Sequence, residues 1–291
     1  MKVGIWGNTE KELFWQVLPE VMKWFNSNDY TVFLTTRIDS QLEQKSNVNY
    51  DIIETADDFE KIDYLLAMGG DGTILSAARA VAHRETPILG IHLGGLGFLA
   101  EVSLDDLYKR MESVSSGDYT LYPRMVMKGE IHTNGIMMKT VHALNDLVVE
   151  RGDTFRLVNC TVHMNDQYVT TYNSDGLIIS TPTGSTGYNL SAGGPIVLPK
   201  LSLFTLAPIC PHTLSARPIV LPGDQEIKVA FAEDAPDMKL TVDGQQQELV
   251  TSDSTIIIRK AEYTVNLVTF NDREYFDVLR TKLGLGQKGN H

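Results

Sequence analysis

Cysteine is scarce in this chain. Cys160 and Cys210 are the only two in 291 residues, and no Cys-x-x-Cys pair occurs. That excludes a disulfide-stapled framework and a thiolate metal site, and it reads as a reducing, cytoplasmic setting. Long apolar runs are missing as well. None approaches the roughly 20 residues of a membrane span, and Met1-Lys2-Val3-Gly4-Ile5-Trp6 lacks the apolar core of a signal peptide. Basic charge is in deficit, with 25 Lys and Arg against 37 Asp and Glu, a net charge of −12. Neither nucleic acid nor an anionic membrane is therefore an expected partner. An anionic ligand would have to be held by local N–H groups or by a metal.

Several catalytic signatures are also absent. No HExxH and no Cys/His cluster suggests zinc, and His132, His142 and His163 are spaced as strand residues. Gly184-Ser185-Thr186-Gly187 lacks the spacing of a hydrolase elbow. Gly72 is followed by Thr73-Ile74, without the lysine of a Walker A loop, and Leu75 stands where a dinucleotide fingerprint needs its third glycine.

What is present centres on Met68-Gly69-Gly70-Asp71-Gly72-Thr73. An apolar run, Ile62 to Ala67, precedes it and reads as a buried parallel strand, whereas Thr73 to Val81 is rich in helix formers. The helix start offers free N–H groups and a positive dipole end to an anion. A carboxylate there reads either as a base beside a phosphoryl group or as a helix cap. Gly69, Gly70, Gly72 and Thr73 are the candidate phosphate-binding residues.

The chain is long enough for two domains. Strands are expected at 3–6, 30–34 and 88–91, and helices at 10–25 and 104–114. Leu13, Phe14, Val17, Val21, Met22 and Phe25 would face the core of the first helix. This alternation implies a Rossmann-like parallel α/β sheet with ligands at the carboxyl ends of its strands. A second glycine loop, His92 to Phe98, would face the same crevice. The polar stretch 37–49 is unassigned. Past Pro123 the texture becomes β-rich: Thr133-Asn134-Gly135 and Asn165-Asp166 mark hairpins, strands are expected at 176–180, 204–209, 226–231, 238–242, 254–259 and 263–270, and the whole reads as a sandwich. The expected domains are 1–122, joined by a helical segment within 271–291, and 123–270.

Two stretches of the second half draw attention. Asn145-Asp146 puts an amide beside a carboxylate in an apolar run, yet on a strand only one could face a given ligand unless the chain bends. Ser174 to Pro195 feeds a buried strand into a loop crowded with hydroxyls and glycines, followed by Tyr188. Hydroxyls and N–H groups can hold ribose and pyrophosphate, and Tyr188 can stack on a ring. A plain turn and a plain connecting loop are the rival readings, and Asp243-Gly244 reads as a hairpin turn.

Together these segments resemble the NAD kinases. The resemblance rests on Gly69-Gly70-Asp71-Gly72-Thr73, Leu96-Gly97-Phe98-Leu99, Asn145-Asp146, Ser174 to Pro195 and Pro211-His212-Thr213-Leu214-Ser215-Ala216-Arg217-Pro218, in order across residues 62–245. It implies ATP-dependent phosphorylation of the adenosine-ribose 2′-hydroxyl of NAD to give NADP, a divalent metal such as Mg²⁺, and a homodimer or homotetramer. By motif, Asp71 would be the catalytic base and Gly72 would approach NAD. Asn145 and Asp146 would hold adenosine, and Asp175 would meet the nicotinamide end. Thr186, Gly187, Tyr188, Asn189, Leu190 and Ser191 would form the dinucleotide wall, with Gln245 and Arg156 as further contacts. Three positions depart from the family: Asp146 for a more usual Glu, Gly187 for alanine and His92 for asparagine. The rival functions are a lipid kinase sharing the Gly-Gly-Asp-Gly loop and a non-catalytic NAD(P)-binding regulator. NAD against NADH as acceptor, and ATP against polyphosphate as donor, stay open.

Overall fold

The computed structural model describes residues 1–42, 48–153, 156–272 and 274–285. Positions 43–47 of the unassigned polar stretch, and Arg273 and 286–291 of the expected carboxyl-terminal segment, lie outside them. The chain divides into two compact units, Met1–Pro123 with Val265–His291, and Arg124–Thr264.

The first unit is the expected α/β layer. Its elements run β1 (Lys2–Gly7), α1 (Glu12–Ser27), β2 (Thr31–Thr35), α2 (Thr36–Asp39), β3 (Asp51–Ile53), β4 (Tyr64–Gly69), α3 (Asp71–Val81), β5 (Ile88–His92) and α4 (Leu107–Ser116). The strands pair in parallel in the order β3-β2-β1-β4-β5. Every residue of β4 is buried, as its unbroken apolar run predicts for a strand covered on both faces. In α1 the buried face is Phe14, Leu18, Val21, Met22 and Phe25, whereas Leu13 is 39% exposed. Leu18 takes the place expected for Leu13 because the 3.6-residue period runs 14–18–21–25. Pro19 lies inside α1 but on its exposed side. Strand order reverses between β1 and β4, so the carboxyl ends of these two neighbours form the switch-point crevice of an open α/β sheet.

The second unit is a β-sandwich. One antiparallel sheet follows the order Ile219–Pro222, Leu203–Ile209, Gly176–Ser180, Asp146–Arg151, Met238–Val242, Gln246–Val250. Opposite it, Gln167–Ser174, Val158–Met164 and Ile227–Phe231 pair in turn, and the last pairs with Ser254–Thr269. Alternate residues such as Val158, Cys160 and Val162 interleave with Leu147, Val149, Leu177 and Ile179 of the facing sheet to form one apolar core. Both hairpins carry the backbone their sequences require: Asn134 and Gly135 at φ 52° and 78°, Asn165 and Asp166 at 46° and 65°. The expected strands 254–259 and 263–270 are one continuous strand, Ser254–Thr269, and the chain passes from the second unit back to the first within it.

Candidate functional site

In the first unit, β4 delivers the chain to Gly70 and α3 begins at Asp71. Asp71 does not cap its own helix. Its carboxylate reaches the second glycine loop, where Oδ2 accepts the N–H of Phe98 at 2.8 Å and Oδ1 accepts those of Leu99 and Ala100 at 3.0 and 3.1 Å. Gly97 makes this approach possible, because a Cβ there would lie 1.9 Å from Oδ1. Three of the roughly four lone-pair positions of a carboxylate are thereby filled, and the fourth, on Oδ2, is left for a further donor. His92 steadies the same loop through a 2.7 Å contact between Nδ1 and the Gly94 carbonyl. Thr73 Oγ1 accepts the Gly70 N–H at 3.3 Å, and Gly69 is fully packed, its carbonyl accepting the Leu93 N–H. Gly70 has open space where a side chain would be, so a ligand can approach its backbone closely, and Gly72 in the first turn of α3 is exposed.

In the second unit, a cleft of about 360 Å³ is lined by Asn145, Asp146, Val148, Glu150, Tyr188, Thr241, Asp243 and Gly244. The dilemma of adjacent residues on opposite faces is resolved by a bend: the strand begins at Asp146, and Leu144 and Asn145 precede it in a turn. The carboxylate of Asp243 holds that bend. Oδ2 accepts the N–H of Leu144 at 3.0 Å, and Oδ1 those of Asn145 and Asp146 at 2.7 and 3.1 Å. Asp243 and Gly244 do form a hairpin turn, with φ 50° and 66°, but the side chain performs a second task that the turn reading missed. Glu150 was also missed, although Asp146, Val148 and Glu150 share one face of a strand by simple alternation.

The cleft is rich in acceptors. Asn145 Oδ1 is buried without a hydrogen-bond partner, as is Thr183 Oγ1 of the hydroxyl-rich loop, outside the cleft lining. Burial, then the charges of Asp243 and Glu150, push the Asp146 carboxyl up to about 7. Burial and the charges of Glu150, Cys210, Asp146 and Asp175 raise the Tyr188 phenol. Such a surface suits a ligand that donates, as ribose hydroxyls and a purine amine do, and repels bare phosphate.

The hydroxyl-rich loop works differently from the sequence expectation. Thr181 Oγ1 donates to the Leu144 carbonyl at 2.5 Å, Ser180 Oγ to that of Thr181 at 2.9 Å, and Ser185 Oγ to that of Pro182 at 2.7 Å. Buried hydroxyls must pair, so these brace the loop and the Leu144–Asn145 bend. Asn189 is likewise engaged inside: it is fully buried, donates to the Ser185 and Pro195 carbonyls and accepts from Thr205. Of the wall residues, Tyr188 lines the cleft and Gly187 stands against it, with its missing Cβ 3.6 Å from Asn145 Nδ2 and 3.8 Å from Asp146 Oδ2. Thr186 and Leu190 are half-buried and Ser191 is exposed. Asp175 pairs with Arg151 at 3.3 Å, whereas Arg156 and Gln245 lie on the surface, Gln245 closing the turn through its N–H to the Val242 carbonyl.

Comparison with known proteins decides the family. Residues 3–119 match the ATP-NAD kinase N-terminal domain, and residues 144–270 match the ATP-NAD kinase C-terminal domain. The chain belongs to the NAD kinase family. An NAD kinase from a Thermoanaerobacter species is 38% identical over 284 residues, covering 97% of this chain and 98% of that one. The Geotalea daltonii NAD kinase is 44% identical over 79% of this chain and 81% of its own. The crystal structure of yeast NADH kinase complexed with NADH superposes with a TM-score of 0.89 at 25% identity, covering 99% and 89% of the two chains. This family assignment makes the protein an enzyme, an NAD kinase, and leaves no place for the lipid-kinase and regulator readings.

Among the described residues, no three His, Cys, Asp or Glu side chains group as metal ligands. The magnesium implied by the resemblance finds no protein cage among these residues. Among the same residues no helix is long and apolar enough to cross a membrane.

Proposed function

We propose that this enzyme transfers the terminal phosphoryl group of ATP to the 2′-hydroxyl of the adenosine ribose of NAD, giving NADP, with Asp71 as general base. The observation that carries the acceptor side is the cleft at Asn145 and Asp146. The unpaired Asn145 Oδ1, beside the carboxyls of Asp146 and Glu150, calls for hydroxyl and amine donors, and the bend is fixed by Asp243. A purine nucleoside meets that demand, with Tyr188 available to stack on a ring.

Asp71 supports the chemical side. Two backbone donors on Oδ1 and one on Oδ2 fix the plane of the carboxylate and leave one lone pair of Oδ2 for a further donor. A ribose hydroxyl is a weak nucleophile at neutral pH, and a fixed carboxylate accepts its proton as the bond to phosphorus forms. The N–H groups at the start of α3 favour the negative charge of the transferring group. Asp175, Arg156 and Gln245 remain candidate contacts for the rest of the dinucleotide, and Gly72 for close approach to it. A divalent ion would arrive on the donor phosphates, which suits the few protein ligands magnesium needs. The resemblance also carries a homodimer or homotetramer and a cytoplasmic setting.

Product analysis tests the reading. Incubation with ATP and either NAD or NADH should give the 2′-phosphorylated dinucleotide, and 2′-deoxyadenosine NAD should bind without turnover. Phosphate at any other position would overturn it.

A further inference from the structure

The cleft of the second unit has two ends. The strand Asp146–Arg151 runs along it, and Asp146, Val148 and Glu150 alternate onto the lining face. Asn145 and Asp146 stand at one end. Glu150, four residues on, lies about 13 Å away at roughly 3.3 Å per residue. Register fixes what surrounds that second end. Glu150 pairs with Gly176 on one neighbouring strand, so Asp175 enters beside it, and with Lys239 on the other.

Charge sets the Glu150 end apart. Among the described residues the lining holds three carboxylates, Asp146, Glu150 and Asp243, and no lysine, arginine or histidine. Two of the three are accounted for. Asp243 is committed to the three amides of the bend. The Asp146 carboxyl, pushed up to about 7 by burial and its neighbours, carries only part of its charge at neutral pH. The cations near Glu150 are matched as well, Arg151 by Asp175 at 3.3 Å and Lys239 by Asp153 at 3.0 Å. Glu150 itself meets a neutral group, Thr241 Oγ1, which donates to Oε2 at 3.5 Å. Its field reaches along the cleft: after burial it is the foremost charge raising the Tyr188 phenol, and it acts on Asp146 too.

A dinucleotide laid along this cleft with its adenosine at Asn145 and Asp146 brings its second nucleoside to Glu150, since about 13 Å matches the reach from the adenosine ribose to the other ring. In NAD that ring is a pyridinium with one positive charge. In NADH it is a neutral dihydropyridine. The two molecules are otherwise nearly alike in shape and hydrogen-bonding groups, so a charge at this end is the direct means of telling them apart.

We infer that Glu150 is a specificity-determining residue, favouring NAD over NADH by facing the positive nicotinamide ring of the oxidised form. This rests on the acceptor reading above and extends it to the redox state of the acceptor. A unit charge opposite a carboxylate in a half-open cleft is worth about a factor of ten in affinity. Asp175 adds less, because Arg151 balances it.

The test compares NAD, NADH and, as a probe without the ring, ADP-ribose on the whole enzyme and on Glu150→Gln, which keeps the size of the side chain. Calorimetric Kd values, and KM values with ATP, should favour NAD over NADH by about tenfold in the parent at low ionic strength. That ratio should shrink as salt is raised to about 0.5 M. In Glu150→Gln the two dinucleotides should come within about twofold of each other, through weaker NAD binding, with ADP-ribose affected far less. Glu150→Asp keeps the charge and should keep the preference. A parent without preference, or a Glu150→Gln that weakens all three ligands equally, would overturn the assignment while NAD phosphorylation stands. If neither dinucleotide binds or is phosphorylated, the acceptor reading fails and this assignment with it.

Discussion

The Asp71 carboxylate accepts the backbone N–H of Phe98 at 2.8 Å, twenty-seven residues further along the chain. The residue assigned to proton transfer is thus also the clasp of the second glycine loop. Asp71→Asn separates the two jobs imperfectly. Asparagine has one acceptor oxygen where Asp71 uses two, so either Phe98 or the Leu99–Ala100 pair must face an amide –NH₂. Loss of the base should lower kcat by roughly 10²–10⁴-fold. Loss of the acceptor should lower stability by about 1–3 kcal/mol. Single-turnover kinetics beside urea denaturation measure each, and activity within a few-fold of the parent would remove Asp71 from the chemistry.

Gly187 tests the cleft wall. Its φ of −91° suits any residue, and an added Cβ would meet the Gly184 carbonyl oxygen at 3.2 Å and Asn145 Nδ2 at 3.6 Å. Gly187→Ala requires the Gly184 carbonyl to yield slightly, so it should fold with a small loss of stability and change the KM for NAD by only a few-fold. Gly187→Val pushes methyl groups toward Asn145 and Asp146, and should raise that KM at least tenfold with kcat far less affected. Steady-state kinetics with a melting curve for each variant check both.

Asp146 predicts a pH dependence of stability. Burial first, then Asp243 and Glu150, raise its folded pKa from 3.8 to about 7. Between those values the folded state holds a proton that the unfolded state releases, so this group's contribution to stability falls as pH rises from about 4 to 7. Asp146→Asn removes the penalty. At pH 8 the variant should be more stable than the parent, by on the order of 1–4 kcal/mol, with the difference gone by pH 4. Urea denaturation across that range decides it, and a pH-independent difference would mean that Asp146 is not the titrating group.

Asp243 makes a linked prediction. Asp243→Asn removes a negative charge beside Asp146 and one of the acceptors that fix the bend. The KM for NAD should rise about tenfold or more. The pH at which that KM changes should also move downward, because the neighbouring charge no longer opposes ionisation of Asp146. A general loss of packing would not produce that second change.

Much of this was legible in the sequence, for identifiable reasons. The parallel sheet announced itself through runs such as Tyr64–Gly69, and the hairpins through Asn134-Gly135 and Asn165-Asp166, since both signals are local. The role of Asp243 was hidden because its partners lie ninety-seven to ninety-nine residues away, and no periodicity reports a contact of that range. The loop hydroxyls misled for a different reason. Composition shows that Ser180, Thr181 and Ser185 can hydrogen-bond, but only burial decides that their partners are the protein's own carbonyls. Leu13 was misplaced by less than a third of a helical turn, which is enough to move a side chain from core to solvent.

The bend before Asp146 is closed by a turn almost a hundred residues away in sequence. The hairpin of Met238–Val242 and Gln246–Val250 needs only contacts between near neighbours, whereas its Asp243 must then find three amides almost a hundred residues upstream. The amides of Leu144 and Asn145 precede the strand and that of Asp146 opens it, and all three donate to the carboxylate once it arrives. The cleft proposed for the nucleoside is therefore expected to close late in folding, and the exchange of these three amide protons with solvent, followed during refolding, would time that closure.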